Sequence, residues 1–187
     1  MDLSGVTVAS VGRLRLLPRW RVAAELARRG GALTNRLSKA QGLVIGYGAA
    51  SRLETVSAAL AEAARRGLWQ ASEQRLRRAL GLVERAPVGP RTIDADSLAR
   101  QSGLAADAVR LLELFDILGG DDGGFDFQDL VAARQARRLL TGGASLSAVI
   151  CAVLTARERG VDNPLVRSQF HLSDDGALAL SVGGYLA

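Results

Sequence analysis

The chain has 187 residues, 48% apolar and only 4% aromatic, enough for one large or two small cores built mostly from Leu, Val and Ala. Its single cysteine, Cys151, excludes an internal disulfide and fits a reducing cytoplasm. No basic segment leads into an apolar one at the start of the chain, and the apolar run Ala144–Ala156 is shorter than the roughly 20 residues of a membrane span, so a cytoplasmic protein with no membrane partner is expected.

The net charge of +5 is unevenly spread. Residues 1–91 carry 16 basic and 6 acidic side chains, a net of +10, whereas residues 92–187 carry 8 and 13, a net of −5. Such a split implies two modules with different partners. A basic surface attracts polyanions through counterion release. Lys39 is the lone lysine, so the positive groups are nearly all guanidiniums, which suit bidentate phosphate contacts.

In chain order, Val6–Val11 is an apolar, β-branched run closed by Gly12 and reads as a buried strand. Arg19–Arg29 reads as a helix, with Trp20, Ala23, Ala24 and Ala27 on one face and Arg21, Arg28 and Arg29 on the other. A short strand at Ala32–Thr34 and another at Leu43–Ile45 follow. Leu53, Val56, Leu60 and Ala63 recur at helical spacing up to Gly67. Leu68-Trp69 reads as a last short strand, and Ser72 as the cap of a helix reaching Leu80. Strands alternating with helices predict a mainly parallel sheet covered on both sides.

Pro87-Val88-Gly89-Pro90 cannot sit inside a helix or a central strand, so residues 83–91 read as a linker. Beyond it, Asp94–Gln101, Ala105–Leu114, Phe127–Leu140 and Ser145–Arg159 read as helices, and Gly119–Gly124 as a turn or loop. Residues 160–187 form a tail with an expected hairpin, Gln169–Leu172 against Ala177–Val182, turning at Ser173–Gly176.

Leu98-Ala99, Gly103-Leu104, Val109 and Leu112 follow helix-turn-helix spacing, with the small Ala99 at the helix crossing and Gly103 in the tight turn. With Val109–Glu113, the Gly- and Asp-rich turn, Phe125–Leu130, and Gly142–Leu146 before a further helix, residues 92–159 resemble the MerR family of winged-helix regulators. That resemblance implies DNA binding by the second helix and the wing, and the fold is also similar to that of protein-binding modulators of J-domain chaperones. Arg110 keeps the family's arginine on the second helix, but Leu111 and Leu112 stand where tyrosines usually follow.

Helical geometry assigns Ala105, Ala106, Asp107, Arg110, Leu111 and Leu114 to the face that would enter a groove. Leucine reads little in a base edge, and aspartate repels phosphate. Exposed Leu111 and Leu114, rimmed by Asp107, Asp121 and Asp122, are therefore candidates for a protein contact instead.

In the first module Val8–Leu14, Gly30-Gly31, Leu37–Lys39 and Leu43–Gly46 resemble a BRCT domain over residues 3–82, most closely the version in bacterial DNA ligases. BRCT domains bind DNA ends or phosphorylated proteins. Their phosphate pocket pairs a hydroxyl just before the first-strand glycine with a basic group opening a later helix. Here Val11 precedes Gly12, Ser10 is one residue early, and Arg52 is the available basic group. DNA-backbone contact through Arg13, Arg15, Arg19, Arg36 and Lys39 is the expected mode; the alternative is that these residues form a solvated face.

Gly46-Tyr47-Gly48 lacks the remaining elements of a dinucleotide fingerprint and reads as a strand-end turn. His171 is the only histidine, so no metal, cofactor or small-molecule substrate is expected. No paired acid and base emerges, and a non-enzyme is expected. The expectation is an α/β module, BRCT-like with a mainly parallel sheet, followed by a mostly α winged helix-turn-helix module with a C-terminal β-hairpin. The expected function is DNA binding or DNA-associated regulation, with Arg110 assisting from the second module. The alternative is an adaptor whose second module docks a protein partner or a second copy.

Overall fold

The computed structural model describes residues 2–84, 91–119, 124–167, 169–172, 178–182 and 185–186. Its contacts separate the chain into two units, Met1–Pro87 and Val88–Ala187.

In the first unit β1 (Thr7–Val11), β2 (Ala32–Thr34), β3 (Gly42–Ile45) and β4 (Trp69–Ser72) form a four-stranded sheet in the order β2-β1-β3-β4. All neighbours are parallel, with Val8 beside Gly42, Ala9 beside both Thr34 and Leu43, and Val44 beside Ala71. Helix α1 (Arg19–Arg28) connects β1 to β2, α2 (Leu53–Arg65) connects β3 to β4, and α3 (Glu73–Ala79) follows β4 without a loop.

The chain leaves β1 towards one edge and β3 towards the other, so right-handed crossovers put α1 and α2 on opposite faces. Val8, Val44 and Ala71 pack with Val22 and Leu26 of α1 and with Leu76 and Leu80 beyond the sheet. On the other face α2 buries Val56, Ala59, Leu60 and Ala63. Every residue of β3 is buried, which explains its uninterrupted apolar sequence. Each fully buried Val or Leu here contributes about 1.5–3 kcal/mol. Gly42 is required because a Cβ there would come within 2.0 Å of the Trp69 ring.

Helix α1 departs from the face assigned by sequence. Its buried residues are Val22, Glu25 and Leu26, while Trp20 is 72% exposed. Ala24 and Ala27 are also exposed. The long aliphatic side chains of Val22 and Leu26 reach the sheet, whereas alanines would leave a gap. Glu25 tolerates the interior because its carboxylate accepts hydrogen bonds from Arg28 and Arg29. Arg29 in turn donates to the Leu80 carbonyl at 2.9 Å.

The second unit is mainly helical: α4 (Ala95–Ser102), α5 (Ala106–Leu114), α6 (Phe127–Thr141), α7 (Leu146–Glu158) and a short α8 (Pro164–Arg167). Side chains start three of them, Asp94 for α4, Asp126 for α6 and Ser145 for α7, each accepting a first-turn backbone N–H. Gly103, in the left-handed region at φ +74, makes the turn from α4 to α5. Ile93 and Phe125 form an antiparallel bridge, exchanging N–H···O bonds of 3.1 and 2.8 Å.

Strands β5 (Gln169–Leu172), β6 (Leu178–Val182) and β7 (Tyr185–Leu186) make an antiparallel sheet in that order. The expected hairpin strands are present, and β7 is a third strand that no turn signal announced. Ser173–Gly176 lies outside the described residues.

Candidate nucleic-acid interface

The first unit's sheet has a topological switch between β1 and β3. In open parallel sheets a crevice opens there, beyond the carboxyl ends of the strands. Two loops meet at this end. Gly12 of the β1–α1 loop is pressed on Ala49 of the β3–α2 loop, where an added Cβ would sit 2.5 Å from the Ala49 Cβ. Gly46 and Gly48 lie as closely on the Arg13 backbone, and the Gly48 N–H donates to the Arg13 carbonyl at 2.9 Å. The glycines of Gly46-Tyr47-Gly48 thus permit a close loop–loop approach.

Glu73 fastens the loops from below. Its side chain is 1% exposed. One carboxylate oxygen accepts the backbone N–H groups of Leu16 and Leu17, at 2.5 and 3.3 Å, and the other accepts that of Tyr47, at 3.1 Å. A buried carboxylate needs such donors. Ser72, just before it, caps α3 by accepting the Arg75 N–H at 3.0 Å. Glu73 thus ties together the two loops that rim the carboxyl end of the sheet.

That rim is basic. The run Gly12–Arg21 holds Arg13, Arg15, Arg19 and Arg21 and no acidic residue, and all four guanidinium-bearing residues are exposed. Arg52, exposed, stands at the start of α2 on the second loop, with Glu54 as its acidic neighbour. Arg36, exposed, follows β2 by two residues. Lys39 is separate. The Gln41 N–H bonds the Thr7 carbonyl at the amino end of β1, and Arg66, after α2, bonds the Ser38 carbonyl. Lys39 thus belongs to the amino end of the sheet, apart from Arg13, Arg15, Arg19 and Arg52, and its N–H donates to the Arg36 carbonyl at 3.1 Å. Ser10 accepts a 2.8 Å hydrogen bond from Arg19.

In the second unit, Ala105, Ala106, Asp107 and Arg110 are exposed on α5. Leu111 and Leu114, expected at the surface, are buried instead, each only 8% exposed. The segment after α5 is buried as well. Phe115, Ile117 and Leu118 are buried, and the Ile117 and Leu118 N–H groups both donate to the Leu112 carbonyl, so the chain doubles back over the last turn. The buried arc widens there to take in Val109, Leu111, Leu112 and Leu114. The exposed large apolar residue of α6 is Phe127, 72% exposed at its first position. Asp121 and Asp122 lie outside the described residues.

Asp129 holds Gly119 beside the start of α6. Its carboxylate accepts the Gly119 N–H at 2.7 Å and the Asp126 N–H at 3.0 Å, completing a capping box. Burial holds its pKa above the ordinary carboxylate value, against the lowering effect of those N–H groups. At the exposed start of α4 the Ser97 N–H and hydroxyl hold Asp94 below it. Cys151 is a free, half-buried thiol on α7.

Sequence reasoning missed Glu73 and Asp129 as loop fasteners and Trp20 as a surface aromatic. Behind the Ser72 cap, Glu73 reads as an ordinary first-turn acid. Among the described residues no group of three or more His, Cys, Asp or Glu could hold a metal, and no helix is long and apolar enough to cross a membrane. No protein-family model, curated protein or solved structure matches this chain.

Proposed function

We propose that this chain is a DNA-binding, DNA-associated or regulatory protein whose first unit supplies the phosphate contacts. The observation that carries this reading is the acid-free run Gly12–Arg21, with its four exposed arginines, at the carboxyl end of a parallel sheet. The first unit has 15 basic and 6 acidic residues, so the rim sits in a positive field overall. We read this unit as BRCT-like, supported by its β2-β1-β3-β4 order and helices on both faces. We read α4, Gly103, α5 and the Ile93–Phe125 bridge as a MerR-like winged helix-turn-helix.

The binding mode is contact with the backbone phosphates, not base reading, by Arg13, Arg15, Arg19 and Arg52. Arg36 and Arg110 are secondary, and Lys39 stands apart. The alternative adaptor reading loses the exposed Leu111 and Leu114 on which it rested; Phe127 is the largest exposed apolar side chain left to it among the described residues of the second unit. The test is duplex-DNA affinity of the full chain against salt concentration. Replacing Arg13, Arg15 and Arg19 together by Ala flattens the log–log slope by about two to three. Arg110→Ala changes it by less than about one. An unchanged slope in the triple variant returns these arginines to a solvated surface.

A further inference from the structure

The feature left over by a pure phosphate-contact account is Trp20. It is 72% exposed, the most exposed large apolar side chain among the described residues of the first unit. It stands in the first turn of α1, between Arg19 and Arg21, just past the loop that carries Arg13 and Arg15. The molecule's other tryptophan, Trp69, is used internally, laid on Gly42. Phosphates give the flat face of an indole no favourable contact, so an exposed aromatic ring flanked in sequence by arginines suits a ligand with both anionic groups and flat, unpaired π-faces.

We propose that Trp20 is a stacking platform for an unpaired base, and that the rim of the first unit is built for single-stranded DNA or the frayed end of a duplex. The proposal rests on the DNA-binding reading above and sharpens its substrate class. A base leaves the stack and lies on the indole, while Arg13, Arg19 and Arg21 hold the flanking phosphates. Arg19 enters this arrangement already oriented, because its Nη1 donates to Ser10 Oγ at 2.8 Å. Bases inside an intact duplex cannot offer a face to Trp20, so the ring discriminates by strandedness and not by sequence.

The experiment uses the full chain, an oligothymidylate single strand and a blunt duplex of equal length, with affinities from anisotropy at one salt concentration. The wild type quenches its tryptophan emission on the single strand. Trp20→Ala loses that quenching and binds the single strand about tenfold more weakly, with duplex affinity changed by less than about twofold. Trp20→Phe recovers most of the affinity, because a phenyl ring still stacks. Trp20 packs in no core, so the melting temperature of both variants stays at the wild-type value, which separates lost contact from lost fold. Equal single-strand affinity in wild type and Trp20→Ala overturns the stacking proposal and leaves the phosphate reading standing. Absence of salt-dependent binding to either DNA overturns both.

Discussion

At the residue scale, Glu73 is the side chain on which the candidate interface depends most. Its three N–H partners come from two loops that otherwise share few backbone bonds. Glu73→Ala leaves those donors buried without an acceptor, at about 1–3 kcal/mol for each one that water cannot reach. The expected outcome is a lower denaturant midpoint for the full chain and faster amide exchange at Leu16, Leu17 and Tyr47 than elsewhere in the first unit. Unchanged exchange at Tyr47 would mean that the loops hold together without the carboxylate. None of this was legible in sequence. A glutamate just after a Ser cap reads as an ordinary first-turn acid, and only the folded sheet brings the Leu16 N–H, from a distant segment, within reach of it.

At the element scale, α5 shows how a helical pattern misleads when the next segment folds back. Val109 and Leu112 mark the core stripe correctly, and both are buried. Leu111 and Leu114 lie beyond that stripe in a helical projection, yet both are buried, and the chain turns back on the Leu112 carbonyl just after them. Leu111→Ala and Leu114→Ala are therefore expected to destabilise the protein by about 2–5 kcal/mol each, as core truncations do. Urea unfolding checks this; a loss below about 0.5 kcal/mol would put the leucines on the surface after all. Helix α1 misled in the opposite sense, because alanines and a tryptophan look like a core face while Val22 and Leu26 do the packing. The clearest elements in the sequence were those with local chemistry: β3 as an unbroken apolar run, α3 behind Ser72, and α4 and α7 behind Asp94 and Ser145. The two-residue β7 has too few residues to carry a period.

At the scale of the whole molecule, the charge split follows the division into two units. Met1–Pro87 carries a net charge of +9, whereas Val88–Ala187 carries −4. A polyanion approaching the first unit meets a net positive field, and the run Gly12–Arg21 brings four exposed arginines and no acidic residue of its own. The charge asymmetry was plain in the sequence. The gathering of Arg13, Arg15, Arg19 and Arg52 at one end of the sheet, and the removal of Lys39 to the other, was not, because it depends on which way the β2–β3 connection runs. Where DNA docks is read from backbone amide shifts of the full chain during titration with DNA. With DNA on the arginine-bearing loops, the largest perturbations fall within Gly12–Arg21 and Gly46–Arg52, with Lys39 and α5 little changed. Largest perturbations in Ala105–Leu114, with Gly12–Arg21 silent, would contradict that placement and move the interface to the second unit.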